Sequence, residues 1–112
     1  VEFAGSGRFH PILPLITPAA AARSIAENAQ VNHRLLGDAW RPRGFFPPEM
    51  CYSRDILAPV SSSGHEWLIL SGVACPAEWP VSTVYRAQAD GRTVHVLFRD
   101  DEDKFEGQKS KD

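Results

Sequence analysis

No stretch of the sequence approaches the roughly 18 consecutive apolar residues that a membrane-spanning helix needs. The first residues also lack a basic segment followed by an apolar core, so neither insertion nor secretion gains support. Cysteine is scarce. Cys51 and Cys75 are the only two, too few for a disulfide framework and without paired metal-ligand spacing, and a reducing, cytoplasmic compartment is the simpler expectation. Charge of one sign is missing as well: 12 Lys and Arg face 14 Asp and Glu, for a net charge of -2. Without a concentrated basic face, neither nucleic acid nor an acidic membrane is an expected partner. No internal repeat of solenoid period is evident.

What remains is a chain of 112 residues, 43% apolar and 23% charged, which suits one domain at most. The body is expected over residues 1–100, and residues 101–112 read as a charged, frayed tail. The chain opens at Val1 without a methionine and already inside an expected strand, so the natural N-terminus is expected upstream.

Val1-Glu2-Phe3 reads as a strand end. The segment His10-Pro11-Ile12-Leu13-Pro14-Leu15-Ile16 that follows is too proline-rich for an ordinary helix. Thr17 offers an N-cap hydroxyl and Pro18 a preset first-turn φ; Ala19 to Leu36 is rich in helix formers and stops at Gly37. Ile25, Ala29, Asn32 and Leu36 recur at helical spacing and predict one buried face. Gly44-Phe45-Phe46 predicts a short buried strand that Pro47-Pro48 must end, delivering Glu49 just beyond it. A second helix is expected from Ser53 toward Ser63, ended by Gly64, and a strand over Glu66 to Ser71. Val84–Ala87 and Thr93–Phe98 flank Asp90-Gly91, a hairpin turn signal.

Strands alternating with helices are the grammar of α/β architecture with a parallel sheet. The unusual polar residues follow strand ends: His10 the first, Glu49 the second, Arg99-Asp100 the last. Parallel barrels assemble their sites there, but a full eightfold barrel takes roughly 250 residues. The expectation is a partial barrel with a β-hairpin near its C-terminal end.

Two readings stand for each polar candidate. Glu49, held by two rigid prolines beside Phe45 and Phe46, is placed either to attack a sugar's anomeric carbon or to accept bonds from loop amides as a structural acid. His10 either binds a sugar hydroxyl or a carboxylate, or is a satisfied core histidine. Glu2, beside a strand end, is equally open. His33 and His65 are expected on the surface, and His95 on the side of its strand opposite Val94 and Val96. Trp67 is expected in the core, whereas Trp40 and Trp79, in proline-containing loops, are candidates for stacking on sugar rings. No His-x-x-x-His pair or close Asp-Asp plus His cluster stands near the expected strand ends, so no metal site is expected.

Taken in order, these motifs resemble glycoside hydrolase family 57, retaining α-glucan-active enzymes with an incomplete, seven-stranded β/α barrel. The resemblance is carried by Val1-Glu2-Phe3 with His10-Pro11-Ile12-Leu13-Pro14-Leu15-Ile16, by Gly44-Phe45-Phe46-Pro47-Pro48-Glu49-Met50, and by Val96-Leu97-Phe98-Arg99-Asp100. It implies a fragment of a (β/α)7 barrel in which Glu49 is the catalytic nucleophile and Glu2, His10, Arg99 and Asp100 are pocket residues. It also implies an α-glucan or oligosaccharide substrate, no cofactor, and the remainder of the barrel as the segment's partner. Amylase, branching enzyme and 4-α-glucanotransferase activities stay open. The family's Leu-Ser continuation after Phe-Arg-Asp is replaced here by Asp101-Glu102-Asp103-Lys104, and the downstream segment bearing the acid/base aspartate is absent. Neither Asp101 nor Asp103 takes that role, and the isolated segment is expected to be inactive. A polysaccharide deacetylase-like barrel and a degenerate carbohydrate-binding fragment are the competing readings.

Overall fold

The computed structural model describes residues 2–100. The expected tail, Asp101 and Asp103 included, lies outside the described residues. A five-stranded sheet is built from β1 (Ala4–Gly5), β2 (Gly44–Phe45), β3 (Trp67–Leu70), β4 (Tyr85–Ala89) and β5 (Arg92–Phe98), in the order β1-β2-β3-β5-β4. The first four in that order run parallel, while β4 pairs antiparallel with β5 at the edge. Asp90 and Gly91, both at positive φ, make the turn between β4 and β5.

Helix α1 (Pro18–Leu36) follows β1, and α2 (Leu57–Ser62) follows β2. Thr17 caps α1, its hydroxyl accepting from the Ala20 amide, Pro18 opens it, and Gly37 ends it at φ 59°. Crossovers between consecutive parallel strands keep one hand, so both helices fall on one face of the sheet. There Leu13, Ala21, Ile25, Ile56, Leu57 and Val60 pack on Phe45, Leu68, Leu70, Val94 and Val96 to form the core. The buried face of α1 is shorter than its spacing predicts: Ala21 and Ile25 are buried, but Leu36 is exposed, because the helix outruns the two-residue strand beside it. The expected second helix is also shorter. Residues Arg54–Ile56 form a 3-10 turn before α2, and Ser53, at the N-cap of that turn, has a buried hydroxyl without a partner and caps nothing.

Two glycines in the strands are dictated by close approach. A Cβ on Gly44 would enter the Trp67 indole, and one on Gly5 would enter the His65 imidazole. His65 is therefore buried, contrary to the surface position expected from its neighbour Gly64. Its ring meets Phe45 edge-on at 5.2 Å, and its Nδ1 lies 3.2 Å from the Val60 carbonyl. Trp67 is half-buried rather than a core residue, because it points to the face opposite α1 and α2, which no helix covers among the described residues. On that face Trp67, Ile69, Thr93, His95 and Leu97 line a groove of about 640 Å³, with Arg43 and Glu66 at one end. Among the described residues, no helix is long and apolar enough to cross a membrane.

Candidate active site

Residues that follow parallel strands converge at the carboxyl edge of the sheet. After β1 the chain turns through Phe9 and His10 at φ 65° and 55°; after β2 it turns through Glu49 and Met50 at φ 57° and 51°. Left-handed backbone costs a side-chain-bearing residue about 1–2 kcal/mol, and such strain gathers where a side chain must be aimed. Local bonds hold both turns. The Arg8 amide donates to the Ser24 carbonyl at 3.1 Å and the Ser24 hydroxyl donates to the Arg8 carbonyl at 3.0 Å, fastening the first turn to α1. Pro47 and Pro48 are buried, and the Met50 amide donates to the Pro47 carbonyl at 2.8 Å, closing the second turn.

Because β1 and β2 are neighbours in parallel register, these turns lie side by side. His10 Nε2 is 2.8 Å from Glu49 Oε1. An ionised carboxylate only accepts, so in that state the imidazole Nε2–H donates and orients one oxygen. Both side chains are about two-thirds exposed, at 64% and 65%, so the pair contributes little to folding. The contact fixes where one carboxylate oxygen points.

The remaining candidates divide between two edges. Trp79, in the connection after β3, stacks on Tyr85 with ring centroids 4.9 Å apart, and Tyr85 meets Phe98 edge-on at 5.7 Å. Arg99 and Asp100 follow β5 at the same edge, with the Arg99 amide donating to the Leu70 carbonyl at 2.8 Å. Glu2 and Trp40 do not join them. Strand β1 begins at Ala4, so Glu2 precedes it at the amino edge, where its charge acts on Arg43. Trp40 precedes β2 and packs on Phe3 at 5.9 Å. Arg43 donates to Glu66 at 2.6 Å at that same edge, and this bond raises the guanidinium above its ordinary pKa. Burial pushes the His65 imidazole below its ordinary 6.5, partly offset by the Val60 carbonyl. Tyr52, three residues beyond Glu49, has its phenol pushed up by burial, with Arg54 acting in the opposite sense. Among the described residues no group of three His, Cys, Asp or Glu side chains could hold a metal ion.

An α/β sheet whose polar side chains gather beyond the carboxyl ends of parallel strands belongs to the architectures that build sites from strand-following loops. The sequence model of Glycosyl hydrolase family 57 matches residues 1–104, and the chain belongs to that family. Its fold is similar to that of the 4-alpha-glucanotransferase from Thermococcus litoralis, with a TM-score of 0.75 and 15% identity over 93% of this chain and 17% of that one. It is also similar to the GH57-type branching enzyme from the hyperthermophilic archaeon Pyrococcus horikoshii, with a TM-score of 0.68 and 19% identity over 91% of this chain and 22% of that one. The chain thus spans about a fifth of each of those proteins. No curated protein sequence matches it.

Proposed function

We propose that this segment belongs to the catalytic barrel of a retaining α-glucan-active enzyme, a hydrolase or transglycosylase, with Glu49 as its nucleophile. The observation that carries the reading is the 2.8 Å contact between His10 and Glu49, made between two turns of strained backbone. In the first half-reaction a Glu49 oxygen attacks the anomeric carbon. The glycosidic C–O bond breaks, and the leaving oxygen takes a proton from a second carboxyl group outside this chain. In the second, water or a sugar hydroxyl attacks that carbon, gives its proton to the second carboxylate, and releases Glu49. His10 positions the nucleophile; Arg99 and Asp100 belong to the same edge as pocket residues, while Glu2 and Trp40, at the other edge, support the fold.

Parallel sheets are normally covered on both faces, so the groove between Trp67 and Leu97 is read as the barrel interior, completed by the rest of a (β/α)7 barrel. The similarity to a glucanotransferase and a branching enzyme favours a glucan substrate. Two free cysteines, Cys51 and Cys75, suit a cytoplasmic location.

The test is covalent trapping in the full-length protein. A fluorinated α-glucosyl donor should label Glu49, as read by peptide mass mapping. A label on another carboxylate, or glucan binding without any labelling, removes Glu49 from the nucleophile role.

A further inference from the structure

Trp79 is half exposed, at 50%, yet it is not a loose side chain. Its inner face stacks on Tyr85 with an interplanar angle of 22°. Its own backbone is fixed on both sides, since the Trp79 amide donates to the Pro76 carbonyl at 2.9 Å and the Trp79 carbonyl lies 3.6 Å from Cys75 Sγ. The Tyr85 hydroxyl donates to the Pro80 carbonyl at 2.7 Å, tying the ring beneath to the loop above. Phe98 braces Tyr85 from the sheet. The result is a flat indole whose position is set before anything binds, with its outer face turned to solvent.

We propose that this face is an outlying subsite for an α-glucan chain, distinct from the position where the bond is cleaved; the inference rests on the α-glucan reading given above. Three features support a sugar as occupant. The apolar C–H face of a pyranose matches an aromatic plane, and rigid aromatics supply contact area at little entropic cost. The platform stands at the same edge of the sheet as Glu49. It rests on β4, three strands away from β2 in the sheet order, which at about 4.8 Å per strand is roughly 14 Å along the rim. A short oligosaccharide held at Glu49 does not reach Trp79, whereas a long chain does. Trp79 therefore sets a preference for chain length and leaves the chemistry at the anomeric carbon alone.

The experiment uses the full-length protein with Glu49→Gln, titrated calorimetrically with maltotriose, maltoheptaose and cellohexaose. Trp79→Ala should weaken maltoheptaose binding about three- to tenfold, the range expected for loss of one aromatic contact, and leave maltotriose unchanged; Trp79→Phe should restore most of the affinity. Equal losses for both maltooligosaccharides, or no loss for either, overturn the subsite. As a check free of substitutions at Trp79, oxidative footprinting should show Trp79 protected by maltoheptaose but not by maltotriose or cellohexaose. An unchanged oxidation rate with maltoheptaose overturns the proposal, as does a Trp79 inaccessible to oxidant in the free protein. Failure of the α-glucan reading itself looks different: neither maltooligosaccharide binds the parent protein, and no carboxylate is trapped.

Discussion

The two edges of the parallel sheet are made of similar residue types put to opposite uses. At the amino edge Arg43 and Glu66 pair, Trp40 lies on Phe3, and His65 is buried against Phe45 and Gly5. At the carboxyl edge His10 meets Glu49, and Trp79 lies on Tyr85 with a face left open. The difference is in the backbone. Phe9, His10, Glu49 and Met50 are all at positive φ and all follow a parallel strand. At the amino edge the left-handed residue Asp90 only turns the hairpin, and close packing of the strands holds the rest.

The largest expected effect is at the carboxyl edge. If Glu49 is the nucleophile proposed above, Glu49→Gln in the full-length protein keeps volume but removes the attacking charge, so turnover on maltooligosaccharides should fall by several orders of magnitude with the melting temperature nearly unchanged. On the same proposal His10 only positions the carboxylate, so His10→Ala should leave measurable turnover. Near-normal turnover by Glu49→Gln would erase the contrast between the edges.

Next is Gly44→Ala, which drives a methyl group into the Trp67 indole. It should destabilise the protein by about 3 kcal/mol or more, as chemical denaturation would show; an unchanged midpoint would mean that the amino edge is not close-packed. Met50→Gly and Met50→Ala both remove the half-buried side chain, but only glycine relieves the φ of 51°, so the glycine variant should be the more stable by up to about 1 kcal/mol. An alanine variant as stable as the glycine one or more so would show that the turn carries little strain.

The smallest effect depends on pH. His65 has a folded pKa below its ordinary 6.5 because burial disfavours the cation, so the unfolded chain binds the proton more readily. Its contribution is complete above 6.5 and is lost progressively as pH falls below that value. Thermal melts from pH 8 to pH 5 should show the decline, and His65→Gln should flatten part of it. An identical slope in the variant would assign the pH dependence elsewhere.

Local signals were the legible ones. Thr17, Pro18 and Gly37 bound α1 through bonds within a few residues of each other, and Asp90-Gly91 carries its own turn geometry. Positions set by register were harder to read. His65 looked solvent-facing beside Gly64, and only the neighbouring strands reveal that Gly5 gives up its side chain to admit the ring. Glu2 reads as following a strand, but β1 starts only at Ala4; Trp40 precedes β2 and so stands at the amino edge, against Phe3. For His10 and Glu49, their places after strands were readable in sequence, but their contact across 39 residues depends on β1 and β2 being neighbours.

The shortness of β1 and β2 also bears on the order of assembly. β4 and β5 pair across a two-residue turn, and β5 shares four register positions with β3, whereas β1 meets β2 through only two. Nearby pairings close quickly, while pairings between distant segments must first overcome loop-closure entropy. The hairpin and β3 are thus expected to gather first, and the joint that brings His10 to Glu49 to close last and open most readily. In hydrogen exchange the Phe46 amide, bonded to the Gly5 carbonyl at 2.8 Å, should lose its protection well before those of Val94 and Val96.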